Sequence, residues 1–230
     1  MNMRSADADR TTLARIRDAA IEQFGRHGFG VGVRTIAESA GVSPALVIHH
    51  FGSKDGLRKA CDEYVAEVIR SDKSASIQSN DPATWLAQIA EIESYAPLMA
   101  YLVRSLQSGG DLARAFWRRM IDNVEQYLDE GVRAGTVKPS HDPRGRARFL
   151  AMASGGGFLL YLQMHEDPTD LRRVLRDYSD DMVLPALEIY TNGLMADSTM
   201  YDAFLANQGA SSTHQGDGDD GSDEQVPATA

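Results

Sequence analysis

Two adjacent histidines, His49 and His50, are the side chains in this sequence that most invite a chemical role. Imidazole can bind a metal ion, transfer a proton or hydrogen-bond to a polar partner. Adjacent residues on a helix point about 100° apart, so the pair is poorly placed to bind one metal ion together. No Cys, Asp or Glu stands three or four residues away from either histidine within the same helix. Hydrogen bonding to an external partner is therefore favoured over a metal site, with simple packing as the alternative.

The histidines lie in a short helix that the local sequence delimits. Ser43 is a favourable N-cap, and Pro44 suits the first helical position, where a missing N–H costs nothing. Gly52 interrupts this helix, and the next one is predicted over 54–71. Before the helix that Ser43 and Pro44 begin, apolar spacing predicts another short helix over 34–40, which ends at Gly41. The stretch is therefore a short helix, a tight turn and a second short helix.

This arrangement predicts a helix-turn-helix unit, in which the second helix enters the major groove of DNA and the first crosses the backbone. Residues 43–50 contain no acid, which suits a surface that must approach base edges. Cations and free N–H groups at the starts of the flanking helices can hold phosphates. The residues predicted to contact DNA are Arg34, Thr35, Ser43, Pro44, Ala45, Leu46, His49, His50 and Lys54.

The segments "FGRHGF", "VRTIAESAGVS" and "HHFGSKDGL", at their spacing in residues 10–57, resemble the DNA-binding domain of the tetracycline-repressor (TetR) family of transcriptional regulators. The chain departs from the family pattern at two positions. The family often has a hydroxyl residue at the N-cap of its second helix, where this chain has Gly32. The family commonly has a phosphate-contacting tyrosine in the recognition helix, where this chain has Ile48. We expect the two histidines to take over part of that contact.

The rest of the chain reads as helix after helix, without the two-residue alternation that marks strands. The predicted fold is all-α, with an N-terminal three-helix helix-turn-helix DNA-binding domain over 10–57 and a larger helical ligand-binding and dimerisation domain over 58–208. The polar segment "SDKSASIQSNDP" breaks the periodicity and is predicted as a junction. Further helices are predicted over 97–107, 111–134, 143–164 and 170–194, with a weak one over 198–206.

Net charge and cysteine content indicate in which cellular compartment the protein works. The formal charge of −10 is carried outside the first 56 residues, which hold seven basic and six acidic side chains. Residues 209–230 hold five acids and no base and are predicted to be a disordered acidic tail. The single cysteine, Cys61, cannot form an internal disulfide, and no signal peptide or membrane-length apolar run is present. We therefore expect a cytoplasmic protein without a membrane partner.

Large, adaptable side chains are frequent between residues 85 and 165. Such residues line apolar ligand sites, although each one taken singly fits an ordinary helical core. The family resemblance implies a ligand cavity here, for a small apolar or aromatic molecule. The predicted ligand-binding residues are Trp85, Met99, Tyr101, Gln107, Phe116, Trp117, Met120, Tyr127, Phe158, Tyr161 and His165.

Three consecutive glycines, residues 155–157, stand inside the predicted helix 143–164. Each costs a helix about 1 kcal/mol relative to alanine, so the run requires a break or a closely approaching surface. The resemblance implies that the last two long helices pair across a twofold axis, while a kink beside the pocket is the alternative. The predicted dimer residues are Phe149, Gly156, Leu160, Leu175, Tyr178, Met182 and Ile189.

Two other classes of function, an enzyme and an interaction or ligand-binding protein, are alternatives to a regulator. The sequence has no Gly-rich phosphate loop, nucleophile elbow or His-Glu-x-x-His motif, so it predicts no catalytic site, metal site or cofactor. A helical protein-interaction adaptor, or a ligand-binding protein without operator binding, is the alternative. The sequence favours a one-component regulator, a repressor that binds palindromic operator DNA as a homodimer and is released by a small ligand.

Overall fold

The computed structural model describes residues 3–79 and 81–214, with side chains for 11–79 and 81–207, and all regular secondary structure in these residues is helical. This confirms the all-α prediction. In chain order the helices are α1 Met3–His27, α2 Val33–Ser39, α3 Pro44–Phe51, α4 Lys54–Gln78, α5 Pro82–Ala90, a 3₁₀ turn Ile92–Tyr95, α6 Ala96–Gln107, α7 Gly110–Ala134, α8 Pro143–Met164, α9 Leu171–Asn192 and α10 Thr199–His214.

The first hydrophobic cluster joins the N-terminal helices to the helices that follow them. Ile16, Ala20 and Phe24 of α1 recur at helical spacing and are fully buried. They pack in one cluster with side chains of α2, α3 and α4 and with Tyr101 and Phe116 of α6 and α7. The helix-turn-helix therefore shares its core with part of the C-terminal region.

A close crossing of α1 and α6 supports this shared core. A Cβ built on Gly25 would lie 2.9 Å from Ala100 Cβ and 3.2 Å from the backbone nitrogen of Tyr101. Glycine is therefore required for the two helices to approach this closely. Arg104 Nε also donates to the Gly25 carbonyl at 3.2 Å. Together these contacts hold the end of α1 against α6.

Helix α4 continues to Gln78, through the polar segment that the sequence predicted as a junction. Ser74 and Ser76 are buried there. The Ser74 hydroxyl donates to Glu130 of α7, and the Ser76 hydroxyl donates to Gln88 of α5. The prediction was wrong because these serines have tertiary partners that a local pattern cannot reveal.

Two further clusters lie behind the first. One contains Ile121, Val124 and Leu128 of α7 with Ala147 and Ala151 of α8. The other contains Ala96 and Val103 of α6, Phe158 of α8, and Val174 and Leu175 of α9. Helix α8 starts at the predicted residue because the Asp142 carboxylate accepts a hydrogen bond from Gly145 N–H at 2.8 Å, ahead of a proline in the first turn.

The chain divides into two compact units between Asp181 and Met182, inside α9. Helix α9 continues through Pro185, and α10 reaches His214, which makes 209–214 helical although the sequence predicted a tail from 209. The remainder of the predicted tail, 215–230, lies outside the described residues. No helix in the described part of the chain has the length and apolar character of a membrane span.

Candidate nucleic-acid interface

The turn between α2 and α3 is built from backbone hydrogen bonds and one left-handed glycine. Gly41 adopts φ +64°, a conformation that favours glycine. Gly41 N–H donates to the Glu38 carbonyl at 3.1 Å, and Val42 N–H donates to the Ala37 carbonyl at 2.9 Å. Ile36 and Ala37 are fully buried under the turn. These contacts fix the direction in which α3 leaves α2.

The first turn of α3 forms as the sequence predicts. Ser43 Oγ accepts a hydrogen bond from Leu46 N–H at 3.2 Å, and Pro44 follows the cap. Val47 is fully buried and anchors the helix on the first cluster. The side chains of 43–45, 48 and 49 are exposed, while those of Leu46 and His50 are half-buried. The exposed face of α3 carries no acid, and His49 is its one ionisable residue.

The junction between α3 and α4 depends on two glycines. Gly52 caps α3 at φ +72° and donates to the Ile48 carbonyl at 2.8 Å. Ser53 Oγ then caps α4 by accepting from Gly56 N–H at 3.0 Å. A Cβ on Gly56 would overlap the Phe51 carbonyl oxygen, so α4 can follow α3 this closely only with glycine at that position. The junction places Lys54 in the first turn of α4, beside the end of α3.

The start of α2 offers a second polar edge. Arg34 and Thr35 are exposed in its first turn. Gly32 is the N-cap, as the sequence suggested, and it supplies no side-chain cap hydrogen bond. The first N–H groups of α2 thus lack a side-chain acceptor at the cap, which leaves the positive end of the helix available for an anion.

A polar network connects the start of α4 to α6 beneath this surface. Tyr101 OH donates to Asp62 Oδ1 at 2.6 Å and lies 3.1 Å from the Arg58 carbonyl oxygen. Burial raises the pKa of the Asp62 carboxyl, and the Tyr101 hydrogen bond and the Arg58 charge oppose that rise. Burial also raises the pKa of Tyr101, with the Asp62 charge as the next cause. The Arg58 guanidinium lies 3.6 Å from the centroid of the Phe29 ring and donates to Ser108 Oγ at 2.9 Å.

Sequence profiles and relatives agree with this geometry. The profile described as "Bacterial regulatory proteins, tetR family" matches residues 16–61, and that described as "Tetracyclin repressor-like, C-terminal domain" matches 93–196. The chain is 74% identical over 214 residues to the HTH-type transcriptional regulatory protein RaaS of Mycobacterium tuberculosis (strain ATCC 25618 / H37Rv), which covers 93% of this chain and 100% of that protein.

The chain belongs to the TetR family of transcriptional regulators. It is therefore a helix-turn-helix regulator and not an enzyme. The regulator BetI of Brucella canis (strain ATCC 23365 / NCTC 10854 / RM-666) is 34% identical over 156 residues, which are 62% of this chain and 73% of that protein.

Two solved structures share the fold of this TetR-family protein at low identity. The SmeT–triclosan complex is 21% identical, with a TM-score of 0.54, and covers 82% of this chain and 96% of SmeT. FadR of Bacillus subtilis in complex with stearoyl-CoA is 20% identical, with a TM-score of 0.55, and covers 79% of this chain and 99% of FadR. At this identity the likeness concerns the fold alone.

The residues that the sequence predicts for ligand binding fall into three groups in this family member. Tyr101, Phe116 and Met120 belong to the first cluster, Phe158 and Tyr161 to the second, and Met99 packs against both. Trp117 and Tyr127 pack in the third cluster. The structure therefore distributes these side chains between neighbouring layers of the core rather than around one centre.

The polar residues of that set lie at the edges. Gln107, at the end of α6, is exposed. Trp85 Nε1 donates to the Ser76 carbonyl at 3.0 Å. His165 Nδ1 accepts from Asp167 N–H at 3.0 Å, and its Nε2 lies 3.1 Å from Asp177 Oδ2. The backbone donor assigns the proton to Nε2, which donates to Asp177. Within the described residues no group of three His, Cys, Asp or Glu side chains could hold a metal ion.

The predicted dimer residues divide between exposed surface and core. Phe149, Leu160, Met182 and Ile189 are exposed. Leu175, in contrast, is only 3% exposed and lies in the second cluster, and Tyr178 packs against Phe158 and Tyr161 with ring centroids 5.1 and 5.2 Å apart. The assignment of Leu175 to a dimer face is thereby corrected, because its side chain packs inside its own chain. The Tyr178 ring also packs mainly against its own chain.

The glycine run leaves α8 unbroken. A Cβ on Gly155 would lie 3.6 Å from the Trp117 ring, and one on Gly157 would lie 4.0 Å from Tyr178 Oη. A Cβ on Gly156 would meet nothing within 4 Å. Among the described residues, the space beside Gly156 is therefore open.

Ile48 is an exposed residue of α3 that is absent from the predicted DNA contacts. It is 42% exposed in α3, about 100° around the helix from the buried Val47. Its spacing of three residues from Ala45 could have placed it on the same face. The sequence alone could not decide whether Val47 or Ile48 points into the core.

Proposed function

We propose that this regulator is a repressor that binds a near-palindromic operator as a homodimer and is released when a small apolar or aromatic ligand occupies its C-terminal region. The observation that carries the proposal is the exposed, acid-free face of α3, held on a rigid core with Lys54 beside its end. Residues 10–57 would form the DNA-binding domain, and 58–208 the ligand-binding and dimerisation domain.

The DNA contacts follow from the exposed groups. Residues 43–50 would lie in the major groove, where Ala45 and His49 reach base edges. Lys54 would hold a phosphate at the N-terminus of α4, and Arg34 with Thr35 would hold another at the start of α2. Asp55 is exposed in the first turn of α4, where Lys54 is half-buried, so the phosphate position is expected on the Lys54 side of the helix axis.

An exposed apolar stripe on α8 supports the homodimer. Phe149, Met152, Leu160 and Met164 are each more than half exposed and recur, with Gly156 between them, at steps of three or four residues. Exposed apolar stripes of this kind mark protein–protein contacts, and twofold pairing is the commonest arrangement. Glycine at the centre of the stripe would allow the two α8 helices to approach closely.

Repression and ligand release are supported by proteins of the same fold. One solved structure is described as SmeT, the repressor of the Stenotrophomonas maltophilia multidrug efflux pump SmeDEF. Triclosan, bound in SmeT, is an apolar aromatic molecule, and stearoyl-CoA, bound in FadR, carries a long apolar acyl chain. The aromatic and methionine-rich clusters of α6, α7 and α8 suit a ligand of that class.

The first prediction tests DNA binding through Lys54. Lys54→Ala is expected to weaken binding to every duplex and to reduce the slope of log affinity against log salt by about 1, because one phosphate contact is lost. The measurement is a salt titration of affinity for a duplex selected from a random pool. Lys138→Ala, the same loss of charge in the loop before α8, is the control and should leave the slope unchanged. Equal slopes for both variants would show that Lys54 does not contact a phosphate.

The second prediction concerns ligand release. Compounds that raise the Tm of the free protein, in a screen that includes triclosan and stearoyl-CoA, are expected to lower operator affinity roughly 5- to 150-fold, the usual range of allosteric coupling. By reciprocity, operator must lower the affinity for the compound by the same factor. A compound that binds the protein equally well with and without operator would contradict the release mechanism and leave DNA binding intact.

A further inference from the structure

The exposed face of α3 has an apolar centre. Val47, next in the chain, is fully buried, whereas Ile48 exposes 42% of its surface and Ala45 is also exposed. A β-branched apolar side chain gains nothing from water, and the packing of α3 is already provided by Val47 and the half-buried Leu46. Ile48 is therefore available to a partner that approaches this face.

The spacing of the two apolar side chains falls between one and two base-pair steps. Residues three apart on a helix lie on one face with Cβ atoms about 5–6 Å apart. Stacked base pairs rise by about 3.4 Å, so Ala45 and Ile48 would address one base step or two. His49 lies one turn beyond Ala45 and presents its polar ring beside them.

Only one feature of the major groove matches an apolar side chain. The thymine C5 methyl is the apolar group on the base edges, while guanine, adenine and cytosine present acceptors or donors there. An isoleucine that covers such a polar edge would leave it without a hydrogen-bond partner, which costs free energy. The Ile48 side chain also has no hydrogen-bond donor for a phosphate, so a position beside the DNA backbone would not favour isoleucine.

We infer that Ile48, with Ala45 beside it, reads thymine methyl groups in the major groove, so that each operator half-site carries T·A at one or two fixed positions. This inference rests on the proposed function and specifies how the sequence is recognised. His49 then supplies hydrogen bonds at a neighbouring position.

The experiment removes single methyl groups from the DNA. A 30-base-pair duplex is first selected from a random pool with the full chain, and each thymine is then replaced in turn by deoxyuridine, which lacks only the methyl. Replacement at the contacted position is expected to weaken binding roughly 3- to 5-fold, since one buried methyl is worth about 0.8 kcal/mol. Replacing that thymine by cytosine should weaken binding further, and 5-methylcytosine should recover part of the loss because it restores the methyl.

Variants of α3 assign the effect to Ile48. In Ile48→Ala the thymine and deoxyuridine duplexes should bind equally at the position that Ile48 contacts, because the side chain that touches this methyl is gone. Ile48→Val should retain a smaller preference for thymine, and His49→Ala should retain the full preference. Both Ile48 variants should keep their Tm, because the side chain is exposed.

Three outcomes would overturn the inference or its basis. Equal affinity for thymine and deoxyuridine at every position would show that no methyl is read. A preference that persists unchanged in Ile48→Ala would assign the methyl contact to another residue. Failure to select any duplex, with binding that does not weaken in salt, would instead contradict the proposed function itself.

Discussion

At the scale of a single residue, the buried Asp62 joins α4 to α6 through a hydrogen bond. It lies in α4, two turns after Lys54, where its carboxylate is buried and accepts a hydrogen bond from Tyr101 of α6 at 2.6 Å. Burial of a carboxylate disfavours its charged form, and here burial is the largest cause of the raised pKa. The Arg58 charge and the Tyr101 hydroxyl compensate only in part. The network is therefore stabilised by close hydrogen bonding and weakened by ionisation.

The third prediction follows from the sign of this shift. The pKa of Asp62 in the folded chain lies above its ordinary value, so its contribution to stability is complete at a pH below about 3.9 and declines as pH rises through the raised pKa. Asp62→Asn lacks this titration. The free energy of unfolding of the wild type, relative to that of the variant, should therefore fall between pH 4 and pH 7. Urea unfolding at fixed protein concentration measures it, and a difference that is constant over this range would contradict the assignment.

At the scale of elements, the angle between α3 and α4 depends on a contact between backbone atoms. Gly56 stands in the first turn of α4, and its missing side chain makes room for the Phe51 carbonyl oxygen at the end of α3. The same glycine donates the N–H that Ser53 accepts as the N-cap. A backbone oxygen at the end of a helix cannot turn aside as a flexible side chain can. Helix α3 and the first turn of α4 are therefore fixed relative to one another by Gly56.

The fourth prediction is that Gly56→Ala destabilises the regulator by roughly 1–3 kcal/mol, a typical cost of overpacking, although alanine is ordinarily the better helix former by about 1 kcal/mol. Operator affinity should fall as well, because α3 must shift to make room. The control is Gly155→Ala in α8, where the new Cβ would make an ordinary contact 3.6 Å from Trp117 and stability should rise or stay unchanged. Thermal unfolding and duplex titration measure both; a stabilised Gly56→Ala variant would refute the contact.

At the scale of the whole molecule, the main feature is the exposed apolar surface of α8. The stripe of Phe149, Met152, Gly156, Leu160 and Met164 is apolar, and within the described residues nothing lies within 4 Å of a Cβ built on Gly156 at its centre. A glycine in mid-helix costs about 1 kcal/mol without a compensating contact. In the proposed homodimer, a second protomer packed against α8 would supply such a contact.

The fifth prediction separates folding from association. Gly156→Leu should leave the fold of the protomer intact, because its side chain meets open space, and should weaken dimerisation by about 1–3 kcal/mol, or roughly 5- to 150-fold, because it obstructs the closest approach of two helices. Sedimentation at several concentrations, with circular dichroism as the check on folding, measures the change. Ser154→Leu, exposed on another side of α8, is the control. An unchanged dimer in Gly156→Leu would place the interface elsewhere.

The sequence by itself determined the all-α class, the helix-turn-helix and the start of several helices. Ser43 with Pro44 begins α3, and Asp142 with Pro143 begins α8, because a capping side chain acts on N–H groups two or three residues away. Such interactions depend on a few neighbouring residues, so they can be predicted without knowing the rest of the fold.

Only the tertiary structure decided which side chains face the core and which face a partner. It buried Val47 and exposed Ile48, placed Leu175 inside its own chain, and left Gly156 open to solvent. It also extended α4 through Ser74, whose partner Glu130 is distant in sequence. Each of these outcomes depends on packing between elements far apart in the chain, and helical periodicity restricts a residue to a face without saying what will cover that face.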